Sequence, residues 1–268
     1  MNDEQLLAID VGNSRIKAAL LAASLPPPET LPAVTDAMAI LSQTVSPAAV
    51  IGNWLDTKGV RPQSIFLGGV VPAVINSIRD DWRSEWGRIT ILERPASDTV
   101  VNRTDQPERV GPDRLFDAVA ANRLRPPDGA AIVIDSGTAT TGDVVDAEGV
   151  FLGGSILAGF ELVASALHRR TALLPKIDPS DLSPPPEPLG SNTNAAIRSG
   201  LYWGLVGGVK ELVWQLSQPS GAELYKAPLI LLTGGAAPLL APNLPAARLE
   251  PYLTLQGMVL AAGIDSGH

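Results

Sequence analysis

With 268 residues, 45% hydrophobic and 18% charged, the chain suits one large or two moderate globular domains with a buried core. A formal net charge of −8 argues against nucleic-acid binding through a basic surface but leaves local phosphate binding by backbone N–H groups open. With no cysteine and only His168 and His268, disulfides, thiolate metal sites and cysteine nucleophiles are excluded, and a histidine zinc site is not expected.

The apolar run before Asp10, Leu6 to Ile9, is only four residues, short of a signal-peptide core, and no run approaches the ~18 apolar residues of a membrane span. A cytoplasmic protein without a nucleic-acid or membrane partner is expected.

Leu6 to Ile9 read as a strand, and alternating Ile16, Ala18 and Leu20 read as a second one returning. The turn between them, Asp10-Val11-Gly12-Asn13-Ser14, has two readings. One is an Asx-type hairpin bend in which Gly12 supplies positive φ. The other is a phosphate cradle in which successive N–H groups point inward, Ser14 and Lys17 add donors, and Asp10 holds Mg²⁺ through water. Residues 22–60 carry no motif, and the proline-rich stretch Leu25 to Pro32 reads as an extended surface loop. Trp82 and Trp86, one helical turn apart, are expected to pack locally.

Asp113 to Arg125 reads as a helix, with Pro112 close to its start and Leu115, Phe116, Val119, Ala120 and Leu124 as its apolar positions. Ala131 to Ile134 is the next strand, followed by the turn Asp135-Ser136-Gly137-Thr138-Ala139-Thr140-Thr141 and the apolar pair Val144-Val145. His168 reads as a helix residue without chemistry, and Ser183 to Pro188 as a surface loop. Thr193 to Leu216 forms a longer helix with a buried stripe from Ile197 to Leu216. Gly200, Gly204 and Gly208 recur on it, which favours close approach of a neighbouring helix over a ligand. A strand at Leu229 to Leu232 then leads into a third glycine turn, Thr233-Gly234-Gly235-Ala236.

Two echoes suggest similarly built halves: the Asp10 and Asp135 turns, and Phe66-Leu67-Gly68-Gly69 with Phe151-Leu152-Gly153-Gly154. Strand–turn–strand is not the strand–turn–helix of a Rossmann or P-loop site. Two acid–glycine–hydroxyl turns are what clamping a polyphosphate requires, and the third glycine turn offers bare backbone to a nucleoside.

This order of motifs resembles the actin-like ATPase and sugar-kinase superfamily, and more closely the type III pantothenate kinases. The likeness is carried by the three turns, Gly69-Val70-Val71-Pro72, Gly111-Pro112-Asp113-Arg114, Gly153-Gly154-Ser155-Ile156, Gly190-Ser191-Asn192-Thr193 and Leu253-Thr254-Leu255-Gln256-Gly257. It implies an α/β fold of two related actin-like (ribonuclease H-like) domains, each a mixed sheet flanked by helices, with the nucleotide cleft between them. Residues 1–115 and 116–268 are the expected domains, the C-terminal helix being a candidate to pack back on the first. The implied activity is ATP-dependent phosphorylation of pantothenate to 4'-phosphopantothenate, the first step of coenzyme A biosynthesis. A homodimer with the pantothenate pocket at its interface is implied too.

Carried over by position, the resemblance gives ATP contacts to Asp10, Val11, Gly12, Asn13, Ser14, Arg15, Ile16, Lys17 and Thr138. The glycine-turn reading adds Gly234 and Gly235. Mg²⁺ accompanies ATP at Asp10, and Asp135 takes a monovalent cation, K⁺ or NH₄⁺. Pantothenate falls to Gly111, Pro112, Asp113, Arg114, Thr193 and the Thr104 position, with Asp113 as the base. Elementary chemistry agrees: a loose phosphoryl-transfer transition state needs only a weak base, the positive end of a helix suits a carboxylate, and Arg114 suits the carboxylate of pantothenate. Without the other motifs, Asp113 reads as a helix-start acid and Arg114 as a solvated charge. Three positions depart from the family pattern: Thr104 stands for a tyrosine, Ala158 for a proline and Gly69 for a serine. Thr104 and Ala158 motivate one alternative, a non-catalytic nucleotide- or pantothenate-binding regulator; a kinase for another small hydroxylated acceptor is a second, weaker one.

Overall fold

In the computed structural model, residues 4–24, 27, 29–218 and 227–263 are described; His268 and residues 25, 26 and 28 of the first proline-rich stretch lie outside them. The chain divides into two compact units, Met1–Pro126 with Gly149–Phe151 and Tyr252–His268, and Pro127–Glu148 with Leu152–Pro251.

The first unit is built on β1 (Gln5–Val11), β2 (Arg15–Ala22), β3 (Val34–Leu41), β4 (Ser64–Gly69) and β5 (Ile89–Leu92), in the order β3-β2-β1-β4-β5. β1 pairs antiparallel with β2 and parallel with β4. Side chains of a strand alternate between faces, so β1 and β2 each feed two cores. Leu7, Ile9, Val11, Ile16 and Leu20 pack with Ile51 and Leu55 of α1 (Pro47–Lys58), Ile78 of α2 (Pro72–Asp80) and the buried Trp86. On the other face, Leu6, Ala8, Ala19 and Leu21 meet Phe116 of α3 (Pro112–Leu124). Asp10 and its register partner Lys17 continue this second face by period two.

Trp82 and Trp86 do pack together, edge to face with centroids 5.2 Å apart, but not on one helix. Trp82 follows the end of α2, and Trp86 closes a short 3₁₀ turn.

The second unit repeats the plan. β6 (Ala131–Ser136), β7 (Ala139–Val145), β8 (Phe151–Ala158), β9 (Leu229–Thr233) and β10 (Ala247–Leu249) lie in the order β10-β9-β6-β7-β8. β6 is antiparallel to β7 and parallel to β9, as β1 is to β2 and β4. Ile132 and Ile134 of β6 pack against α4 (Phe160–Arg170), α5 (Thr193–Leu216) and α6 (Ala237–Leu240). Asp135 therefore continues the opposite face.

This correspondence separates the two echoes. The Asp10 and Asp135 turns occupy equivalent places after β1 and β6. The Phe-Leu-Gly-Gly echo does not: its first copy lies on β4, whose counterpart is β9, and its second begins the edge strand β8.

The glycines of α5 also differ from expectation. A Cβ on Gly200, Gly204 or Gly207 would meet no atom within 4 Å, and one on Gly208 would make only ordinary contact with Leu157. Gly200 borders a cavity with Val163 and Leu167 of α4, while α5 turns Leu201, Leu205 and Val209 to the core.

The last helix, α7 (Leu253–Ala261), belongs to the first unit, where Leu255, Met258 and Val259 join Phe116 and β1. The expected boundary at 115/116 falls inside α3; the units part at Pro126/Pro127 because all of α3 packs with α7 and this sheet. The two helices approach so closely that a Cβ at Gly257 would collide with the carbonyl oxygen of Phe116. Gly257→Val is expected to lower the unfolding free energy by about 2–3 kcal/mol through overpacking, read by urea denaturation.

Candidate functional site

In the first unit, Asp10 stands at the C-terminal end of β1, only 8% exposed, with Lys17 beside it on β2 and Gly68 beside it on β4. The following turn is closed by the Gly12 N–H donating to Arg15 O at 3.0 Å. The Ser42 hydroxyl donates to Gly12 O at 2.7 Å and the Ser42 N–H to Ser14 O at 3.0 Å. With its carbonyls held from outside, the turn keeps one shape. Ser42 lies in the stretch where the sequence shows no motif, and a lone serine at a strand end carries no signal of this role. Asn13 and Arg15 are exposed, while Val11 and Ile16 are core residues whose side chains face α1 and α2. Only their backbone is available to a ligand.

Gly69 ends β4 with φ of +137°, and a Cβ there would strike the backbone of Val11. The serine usual in the family does not suit this backbone. The next residue, Val70, donates its N–H to Val11 O at 2.9 Å and lies about 4.0 Å from where a Gly111 Cβ would stand. Val70 thus joins the Asp10 turn to the start of α3.

There Pro112 takes the first helical position, where its missing N–H costs nothing. Asp113 Oδ1 accepts the Arg114 N–H at 2.9 Å, and the carboxylate folds back over Gly111 so closely that a Cβ there would collide with it. Glycine and proline both suit this turn: Gly111 leaves space under the Asp113 carboxylate, and Pro112 takes a position that needs no N–H. The Arg114 guanidinium lies over the ring of Phe151, 5.6 Å from its centroid. Thr104 sits on the loop before α3, where Asn102 Oδ1 accepts both its N–H at 3.1 Å and its hydroxyl at 2.8 Å. Asp10, Lys17, Gly111, Asp113, Arg114 and Thr104 thus all belong to the first unit.

In the second unit, Asp135 pairs in register with Thr141 of β7 and Thr233 of β9. The turn is closed by the Gly137 N–H donating to Ala139 O at 2.9 Å and tied by the Gly159 N–H donating to Thr138 O at 3.0 Å. Ser136 and Thr140 share a buried hydroxyl contact of 2.9 Å. Gly234, with φ of +91°, is buried where a Cβ would strike Asp135 Oδ1 and the Ser136 carbonyl. Gly235 is exposed, and a Cβ there would meet nothing within 4 Å. The two glycines therefore differ: Gly234 is demanded by packing, and Gly235 leaves backbone open to a ligand.

Thr193 begins α5, whose N-terminus is capped by Asn192 Oδ1 accepting the Ala195 N–H at 3.0 Å. It lines a cavity of about 600 Å³ with Leu167, Leu174, Ile197 and Leu201. His168 Nδ1 lies 2.9 Å from Leu174 O, an exposed contact that leaves it no chemical role. Among the described residues, no helix is long and apolar enough to cross a membrane.

A family model described as type III pantothenate kinase matches residues 6–215. A type III pantothenate kinase of Dehalococcoides mccartyi is 32% identical over 264 residues, covering 95% of this chain and 96% of that one. One from Cereibacter sphaeroides is 43% identical over 162 residues, 60% of each chain. Among solved structures, the (R)-2-hydroxyglutaryl-CoA dehydratase component A of Acidaminococcus fermentans matches with a TM-score of 0.55 at 15% identity, covering 97% of this chain and 96% of that one. This last likeness concerns the fold, which is that of the actin-like ATPases and sugar kinases.

Gly234→Ala is expected to lower stability by about 1–3 kcal/mol, since it combines an unfavourable φ with a collision against Asp135. Gly235→Ala should leave stability within about 0.5 kcal/mol of the parent. Thermal unfolding of the two variants side by side checks the difference.

Proposed function

This chain belongs to the type III pantothenate kinase family, and on that premise we propose that it transfers the γ-phosphoryl group of ATP to pantothenate, giving 4'-phosphopantothenate and ADP. The observation that carries this reading is the Asp113 carboxylate folded over Gly111 at the start of α3, joined through Val70 to the Asp10 turn. A base and a phosphate-binding turn thereby share one rigid unit.

The primary hydroxyl oxygen of pantothenate bonds to the γ-phosphorus as the bond from that phosphorus to the bridging oxygen of ADP breaks. Asp113 Oδ1 is engaged by the Arg114 N–H, so Oδ2 is the oxygen that accepts the hydroxyl proton. Arg114 pairs with the pantothenate carboxylate and fixes the hydroxyl end relative to Asp113. Because the Gly12 N–H is taken up in closing the turn and Val11 and Ile16 lie in the strand ladder, the Asn13 and Ser14 amides, with the Ser14 hydroxyl and Lys17, hold ATP phosphates. In the second unit Thr138 and the Gly234-Gly235 backbone contact the nucleotide, and Thr193 contacts pantothenate.

Asp10 is a single buried carboxylate at the end of β1, in register with Lys17. That donor set fits Mg²⁺ arriving with ATP, which keeps water and phosphate oxygens as ligands and takes few carboxylates. Asp10 is its protein partner; when bound, Mg²⁺ neutralises phosphate charge. Thr141 Oγ1, in register with Asp135, is buried without a hydrogen-bond partner among the described residues. Hydroxyl and carboxylate together form an oxygen-only set that fits K⁺ or NH₄⁺. A cytoplasmic homodimer belongs to the same reading; the open glycine stripe of α5 offers a face on which a second copy can approach closely.

Pantothenate-dependent ADP release, measured with and without K⁺, tests the proposal. We expect Asp113→Asn to lower kcat by about 10²–10⁴-fold with the fold retained, and Asp135→Asn to abolish stimulation by K⁺. Ligand-induced stabilisation without any turnover would identify a binding regulator instead. Turnover of a different hydroxylated acceptor in preference to pantothenate would overturn the substrate assignment.

A further inference from the structure

Phe151 began as half of an echo with no structural counterpart, yet it is fully buried and belongs with the first unit. Its backbone is held on both sides by the loop before α3. The Phe151 N–H donates to Val101 O at 2.8 Å, and Phe151 O accepts the Arg103 N–H at 3.0 Å. These two bonds bracket Asn102, the residue that fixes Thr104 through its N–H and hydroxyl. Its ring lies beneath the Arg114 guanidinium. One residue thus joins the two segments to which pantothenate recognition has been assigned.

We infer that Phe151 is a positioning residue for pantothenate: its ring orients the Arg114 guanidinium toward the substrate carboxylate, while its backbone holds the Thr104 loop. The inference rests on the assignment of that carboxylate to Arg114. A guanidinium is attracted to an aromatic face through the ring quadrupole, and its planar fork then presents donors edgewise. Restricting a side chain as long as arginine before the substrate arrives lowers the entropy lost on binding.

The test uses the full chain and steady-state kinetics with both substrates. Replacing Phe151 by trifluorophenylalanine keeps the packing nearly constant and withdraws charge from the ring face. We expect the KM for pantothenate to rise about three- to tenfold, with kcat and the KM for ATP within about twofold of the parent. Phe151→Met should match or exceed the fluorinated variant. Combining the fluorinated ring with Arg114→Gln should add no further penalty to that of Arg114→Gln alone. An unchanged pantothenate KM in the fluorinated protein, or additive penalties in the double variant, would overturn the role of Phe151 while leaving Arg114 as the carboxylate ligand. A pantothenate KM unaffected by Arg114→Gln would overturn the carboxylate assignment and the inference with it.

Discussion

Backbone packed against backbone at the ends of two parallel strands is the constraint on which both units depend. In the first, the end of β4 presses on Val11; in the second, the end of β9 presses on Asp135 and Ser136. Register places Gly69 and Gly234 at corresponding points, each one residue beyond the partner of an aspartate. Both have positive φ, and neither leaves room for a Cβ. Carboxyl ends of parallel strands are where chains diverge and leave amides without ladder partners, which is why ligands of α/β proteins gather there. Each aspartate therefore stands beside a group of amides whose position the glycine contact sets.

Within that shared plan the residues opposite the two aspartates differ. Opposite Asp10 stands Lys17; opposite Asp135 stands Thr141. A lysine beside a carboxylate makes a mixed-charge edge suited to phosphate together with its metal. A threonine beside a carboxylate makes an oxygen-only edge suited to a cation.

The second dependence is the seating of α3. Its first turn is compact: the Asp113 carboxylate lies over Gly111, and Pro112 takes the first helical position, where its missing N–H costs nothing. Its far face is held by α7, where Gly257 admits the Phe116 carbonyl and the Thr254 hydroxyl donates to the buried Asp117 at 2.8 Å. A helix gripped so closely transmits little play to its N-terminus, where Asp113, the base of the proposed reaction, stands.

Much of this was legible in the residues. The long helix runs over the residues its apolar spacing marked, and the strands around Asp10 and Asp135 follow from alternation, because local periodicity depends on the few residues that make it. The Gly111-Pro112-Asp113-Arg114 turn was readable for the same reason: each residue answers a need within four positions of itself. What the sequence could not show depends on partners far along the chain. The hold of Ser42 on Gly12, the placing of Phe151 beneath Arg114, the closure of the first unit by α7 and the open glycine face of α5 all join residues separated by at least 30 positions or concern the space around a helix. The sequence by itself determined which short segments carry the acids, the glycine turns and the helix start, since those are set by local sterics and patterning. Only the tertiary structure decided which of them share a unit, which echo was real and which aromatic ring lies under the arginine, since strand order and packing between distant elements have no signature in any single stretch of chain.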